Sequence, residues 1–376
     1  SGSRAAGDSI TARTGSYQAV LDAGYDRFTT PLFGGYNGFD ITEKEPFNDT
    51  TALVAGTSET ASSMFYSVKK AIDMFADPEF IEANLILAPG ILNQGLTTHM
   101  VQTCEARGDA MAVIDPRGGY KPSSENNQSE QDRMTGGTGA GKGGVSQHVV
   151  EVGDAMSLRN LNSSYGATYY PWVRITDTMS GRGIWAPPSV AALGAMSFSE
   201  KEAALWFAPA GFSRGGLTDG AAGIPVTNVR SRLTSKERDY LYERNINPIA
   251  SFPNEGIVIF GQKTLQVTPS ALDRINVRRL MIFVKKEISR ISSNLLFEPN
   301  VQATWDRFTG EVNPFLDNIK LNFGLDAFRV VLDDTTTTAE MIDRNTIYAK
   351  IFLKPTKAVE FFAIDFVITN SGAGFE

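Results

Sequence analysis

Two short apolar runs, one helix-length apart, constrain this chain most. Residues 83–88 carry Leu85, Ile86 and Leu87, and residues 110–114 carry Met111, Val113 and Ile114 before stopping at Asp115-Pro116. Uncharged runs of this length, bounded by turn formers, read as strands buried on both faces. Residues 96–107 between them have a helical pattern. Strand, helix and strand at this spacing form a βαβ crossover, whose strands run parallel. A parallel sheet must be covered by helices on both sides, so the expected fold class is α/β.

The neighbouring segments extend this reading. Met64, Phe65, Val68, Ile72 and Phe75 recur at helical spacing over residues 58–75, and Asp77-Pro78 stops that helix. Strands are expected over 169–176, 205–209 and 256–260, and helices over 187–199 and 235–243. Residues 120–144 are polar, glycine-rich and without periodicity, which reads as a long surface loop. Beyond Gly261 the pattern becomes α+β. One long helix is expected over 269–296, with Thr268 as its N-cap and Pro269 in its first turn. Two strands follow over 346–353 and 358–369, joined as a hairpin through Lys354-Pro355-Thr356-Lys357. The expected division is a polar arm over 1–35, an α/β domain over 36–261 and an α+β domain over 262–376. No internal repeat is visible.

Composition removes several classes of function. Cys104 is the sole cysteine, and His99 and His148 are the only histidines. One chain therefore offers no disulfide framework, no cysteine-cluster metal site and no His-rich zinc or iron site, and no cofactor is expected. The net charge of −7 makes the chain a poor partner for nucleic acid or an anionic membrane. It has no apolar run of 18 residues, so membrane insertion is not expected. The chain starts at Ser1 with neither an initiating Met nor a signal-peptide pattern, and is expected to be a piece of a longer one.

Each candidate for chemistry has a plainer reading. Gly136-Gly137-Thr138-Gly139-Ala140-Gly141-Lys142-Gly143 matches part of a phosphate-binding loop and would suit a nucleotide-binding or hydrolytic enzyme. The Ser or Thr that should follow the lysine to hold magnesium is Gly143, and polar residues replace the preceding strand. Thr97-Thr98-His99-Met100-Val101 and Gly56-Thr57-Ser58 faintly resemble protease segments, but in the wrong chain order. Cys104 reads as a small buried hydrophobe, and Asp333-Asp334 as a solvated turn.

Two features point to association. On the helix of residues 269–296, Val277, Leu280, Met281, Val284, Ile288, Ile291 and Leu295 share one face, while Arg274, Arg278, Arg279, Lys285, Lys286 and Arg290 flank it. The cations read either as a solvated face or as a docking surface for an acidic partner. The terminal strands carry apolar side chains on both faces, so they form either an internal sheet or an edge open to another chain.

Several segments then make a resemblance specific. They are Leu32-Phe33-Gly34-Gly35-Tyr36-Asn37-Gly38, Ala110-Met111-Ala112-Val113-Ile114-Asp115-Pro116, Ser164-Tyr165-Gly166-Ala167-Thr168-Tyr169-Tyr170-Pro171-Trp172 and Trp185-Ala186-Pro187-Pro188-Ser189. Trp206-Phe207-Ala208-Pro209-Ala210-Gly211, Asn245-Ile246-Asn247-Pro248-Ile249, Gly261-Gln262-Lys263-Thr264-Leu265 and Ile342-Asp343-Arg344-Asn345 follow in order, closing on Lys354-Pro355. Together the chain resembles the tail sheath proteins of contractile-tailed bacteriophages, in the T-even-like and giant-phage branch. The resemblance implies a subtilisin-like α/β domain without a protease site, followed by an inward C-terminal assembly domain. It implies a structural protein of the virion, not an enzyme, assembled in the host cytoplasm. Copies would stack as hexameric rings around the tail tube and contract to drive it through the host envelope, with baseplate and tail terminator proteins as further partners.

The same resemblance assigns residues. Arg274, Arg278, Arg279, Lys285, Lys286 and Arg290 are expected to face the tube, and charge reversal at Arg278 and Lys285 should weaken docking while the monomer stays folded. Ile364, Phe366, Ile368 and Phe375 are expected to join a neighbouring subunit by strand addition. Relatives in this branch carry further domains ahead of the α/β part, most of which this chain is expected to lack.

Overall fold

The computed structural model describes residues 63–118, 120, 142–177, 179–218 and 225–360. In chain order the first part contains α1 (Ser63–Asp73), β1 (Leu85–Leu87), α2 (Gln94–Arg107), β2 (Met111–Ile114), α3 (Gln147–Leu158), β3 (Gly166–Tyr170), β4 (Val173–Thr176), β5 (Gly183–Ala186), α4 (Pro188–Glu202), β6 (Val226–Val229), α5 (Ser235–Glu243), β7 (Asn247–Phe252) and β8 (Gly256–Ile259). Five strands form one sheet in the order β1-β2-β3-β7-β8. The first four run parallel and β8 is antiparallel. The βαβ unit read from residues 83–114 is present, with Leu85 paired to Met111.

The burial of β2 explains the run that identified it. All four of its residues are buried, and its two-residue period divides them between two cores. Ala112 and Ile114 meet Leu96, Met100 and Cys104 of α2, Val149 and Val152 of α3, and Leu241 of α5. Met111 and Val113 meet Tyr169, Ile249 and Ile259 of the sheet, and Ala192 and Met196 of α4. A second, antiparallel sheet, β5-β4-β6, adds Val173, Ala186, Val226 and Val229 to that core. Each such Ile, Val or Met contributes about 1.5–3 kcal/mol through burial.

Two expectations for this part are corrected. The single strand expected over 169–176 divides into β3 and β4, which belong to different sheets. Pro171 lies between them and has no N–H for a ladder. Residues 205–209 are turns, not a strand. Their apolar character is satisfied elsewhere: Trp206 packs on Phe283 with ring centres 6.2 Å apart and donates Nε1–H to the Asn322 carbonyl at 2.8 Å.

The second part contains α6 (Ile275–Ser293), α7 (Gln302–Leu321), β9 (Leu325–Val331), α8 (Ala339–Asp343) and β10 (Lys350–Pro355). Helix α6 starts six residues later than expected from its sequence pattern. Ser270, not Thr268, acts as a cap, accepting from Leu272 N above a short 3-10 turn. Arg274 is then extended (φ −113°, ψ 137°) because its backbone bridges to Lys263. Helix α7 was not expected at all. Leu280, Val284 and Ile291 of α6 pack with Phe308, Val312, Leu316 and Ile319 of α7 and with Leu325. Strand β10 pairs antiparallel with β9, and Ile351 and Leu353 point into this third core. The expected first terminal strand thus lies at 350–355; of its expected partner, residues 358–360 are not strand and the remainder lies outside the described residues.

Candidate functional site

Helix α6 belongs to two cores at once. Ile275 and Ile282 pack beneath the large sheet, whereas Leu280, Val284 and Ile291 pack on α7. Its cations follow from that position. Arg278 is 7% exposed; its guanidinium lies 4.0 Å from the centre of the Tyr165 ring and donates to the Ser164 hydroxyl. Arg279, 6% exposed, donates to Glu200 at 2.7 Å and to the Met196 carbonyl at 3.4 Å. Burial pulls both guanidinium groups below their ordinary pKa, with Glu200 opposing the shift at Arg279. Both would remain charged, since arginine starts so high.

The lysines also turn towards the first part of the chain. Lys285 donates to the Gly108 carbonyl at 3.4 Å, just past α2, where the negative end of the helix dipole favours a cation. Lys286 reaches Asn84 at 2.8 Å and Glu82 at 3.1 Å. Arg274 pairs with Glu360 at 2.6 Å and Asp273 at 3.2 Å. Arg290 bonds Glu287 one turn away at 2.8 Å, with its side chain 66% exposed. Four of the six cations singled out from the sequence therefore bond residues that precede Gly261, and the six do not form one outward face. Charge reversal at Arg278 would put a carboxylate in place of a buried guanidinium, so a cost in stability is expected beside any effect on docking. Ile364, Phe366, Ile368 and Phe375 lie outside the described residues.

The chemical candidates are structural. His99 Nε2 meets Asp73 Oδ1 at 2.5 Å, pinning α2 to α1. Ser58 lies outside the described residues. Burial pushes the Cys104 thiol up to about 12, which leaves it inert at neutral pH. His148 and Ser231 are bonded to each other, but at 7% and 8% exposure no substrate reaches them. At the glycine-rich loop, Gly143 holds φ +69°, so the position where a phosphate loop needs a hydroxyl is occupied by a residue with left-handed backbone. Residues 121–141 lie outside the described residues. Asp333 accepts from Thr335 N at 2.9 Å and Thr336 N at 3.2 Å as a turn cap. Among the described residues no group of three or more His, Cys, Asp or Glu could hold a metal ion, and no helix is long and apolar enough to cross a membrane.

Sequence reasoning overlooked Asp115. At the buried end of β2 it accepts from Gly90 N at 2.9 Å, Ser189 N at 3.0 Å and Ser189 Oγ at 2.9 Å. It is the cap of α4, supplied from another strand. Only the Asp115-Pro116 turn was visible in the sequence, because the helix it caps begins more than seventy residues later.

Residues 66–265 match the model of the phage tail sheath protein central domain, and residues 267–369 match the phage tail sheath C-terminal domain. The chain belongs to the phage tail sheath family. It is 29% identical over 311 residues to the tail sheath protein of Vibrio phage KVP40, covering 81% of this chain and 44% of that one. It is 28% identical over 338 residues to the tail sheath protein of Enterobacteria phage T4, covering 88% and 49% respectively. The chain thus spans about half the length of the curated relatives it matches. Among solved structures it resembles the sheath complex of an extracellular contractile injection system, PVC, in its contracted state (TM-score 0.59, 23% identity, 79% of this chain and 74% of that one). It also resembles a chain of the anti-feeding prophage baseplate (TM-score 0.58, 19% identity, 86% and 84%). At these identities the likeness is one of fold. Membership of a sheath family overturns the alternative reading of an enzyme built on the Gly136–Gly143 loop.

Proposed function

We propose that the chain is the polymerising part of a contractile tail sheath subunit, a structural component of the phage virion assembled in the host cytoplasm. Copies associate with each other as stacked hexameric rings around the tail tube, meet baseplate and tail terminator proteins at the ends, and contract to drive the tube through the host envelope. The observation that carries this reading is the pair of sheath-domain matches, which run in order across residues 66–369. The division into an arm (1–35), a subtilisin-like domain (36–261) and a C-terminal assembly domain (262–376) belongs to the same proposal. A predominantly parallel sheet with helices on both faces supports the subtilisin-like part. The tube-facing role is narrowed to the exposed members of the cationic set, Lys285 and Arg290, with the buried arginines holding α6 in place. Helical polymers need a patch that meets a different patch on the next copy, and strand addition through residues 364–375 supplies one such contact.

The work of contraction comes from exchanging one packing of subunits for another. Negative-stain electron microscopy of the chain mixed with tail tubes, in nucleotide-free buffer, tests the whole reading. Striated sleeves on the tubes are expected. Bare tubes at high protein concentration, or sleeves that form only when a nucleotide is added, would overturn it.

A further inference from the structure

Two exposed phenylalanines sit among charges of opposite sign. Phe80, 70% exposed, lies in the turn that follows α1, and residues 73–82 carry Asp73, Asp77, Glu79 and Glu82 with no lysine or arginine. Asp73 and Glu82 are paired inside the chain, with His99 and Lys286, but Glu79 has no cation partner among the described residues. The turn is firmly held. Buried Arg107 donates to the Phe75 carbonyl at 2.5 Å and the Ile81 carbonyl at 2.9 Å, and Asp77 Oδ1 accepts from Glu79 N at 2.9 Å. A turn fixed in this way loses little freedom when it docks.

The outer face of β9 and β10 is its counterpart. Side chains alternate across a strand, so Phe328, Val330, Ile351 and Leu353 meet the third core while Arg329, Lys350, Phe352 and Lys354 turn the other way. Phe352 is 58% exposed and pairs across the ladder with Arg329. Lys354 meets Asp326 at 2.5 Å and Arg329 acts on Asp333, but Lys350 has no carboxylate partner among the described residues. Phe80 and Phe352 both stay exposed within one subunit, so the two patches do not cover each other there.

We propose that the outer face of β9 and β10 binds the turn of residues 73–82 of a second copy of this chain, with Phe80 packed beside Phe352 and Glu79 opposite Lys350. The inference rests on the self-association in the sheath reading and adds to it the two patches that meet. Charge complementarity identifies the occupant. In a chain of net charge −7 a basic face is matched by the acidic surface of another copy, and this turn also brings an aromatic ring to the ring among the cations. Because the two patches differ, the contact is heterologous. Each docked pair keeps one free patch of each kind, so association propagates instead of closing.

Disulfide trapping tests the pairing without tail tubes. Copies carrying Phe80→Cys are mixed at high concentration with copies carrying Phe352→Cys under mild oxidation, while the native Cys104 is buried and takes no part. The mixed 80–352 dimer should exceed either same-site dimer by at least about tenfold, with the excess shrinking as salt is raised. In a second test, Glu79→Lys and Lys350→Glu should each weaken sleeve formation on tail tubes by at least about threefold, and the double variant should recover it, with melting temperatures unchanged. No excess of the mixed dimer would overturn the contact. So would single reversals without effect, or a double variant no better than its worse parent. Failure of the unsubstituted chain to form sleeves would count against the sheath reading, while the trapping result would still decide the contact.

Discussion

Asp115 is a single charge whose placement has a measurable consequence. Burial pushes its carboxyl up to about 6, against the opposing pull of the Gly90 and Ser189 donors. The folded pKa is then higher than the unfolded value of about 3.9, so proton binding favours the fold. The contribution is fully present below pH ~4 and is lost as pH rises through about 6. Between pH 7 and pH 5 the unsubstituted chain should gain about 1 kcal/mol relative to Asp115→Asn, in which this titration is absent. Urea denaturation of both proteins at the two pH values measures it; a constant gap would refute the assignment. None of this was legible in the sequence. An aspartate before a proline reads as a turn, and its three donors come from Gly90 and Ser189, which only the fold brings together.

At the scale of elements, α6 decides how the cationic pattern should be understood. The helical period correctly separated its apolar stripe from its cations, but a helical wheel assumes that the other side meets water. Here Ile275, Ile282, Arg278 and Arg279 are buried against the first part of the chain, so the apparently polar side is a second contact face. Arg278→Glu should therefore cost about 3–5 kcal/mol, because it buries an unpaired carboxylate beside Tyr165. Arg290→Glu, at an exposed site, should change stability by about 0.5 kcal/mol or less. Chemical denaturation of the two variants separates these outcomes, and equal small effects would mean that Arg278 is solvated. Helix α7 escaped sequence reading for an equally local reason. Gly310 and Pro314 lie within it, and each opposes a helix on propensity alone. What overrides them is the burial of Phe308, Val312, Leu316 and Ile319 against α6.

Across the whole molecule, α6 makes two parts into one mechanical unit. Its residues supply both the core under the large sheet and the core against α7, so neither can open without exposing the other. Leu280→Ala should destabilise by about 2–5 kcal/mol and should shift the whole thermal transition, not a C-terminal fraction of it. Calorimetry of the variant checks this: one peak at lower temperature is expected, and a split peak would show independent parts. The sequence by itself determined the βαβ start, because an all-apolar run such as 111–114 has no stable place except between two covering layers. It also determined that one chain cannot build a disulfide framework, a cysteine-cluster metal site or a His-rich metal site, because it holds two histidines and one cysteine. Tertiary structure alone decided which cations are buried, which aspartate caps α4 and where Glu360 is fastened. Those depend on pairings between residues dozens to more than a hundred positions apart, and local spacing carries no record of them.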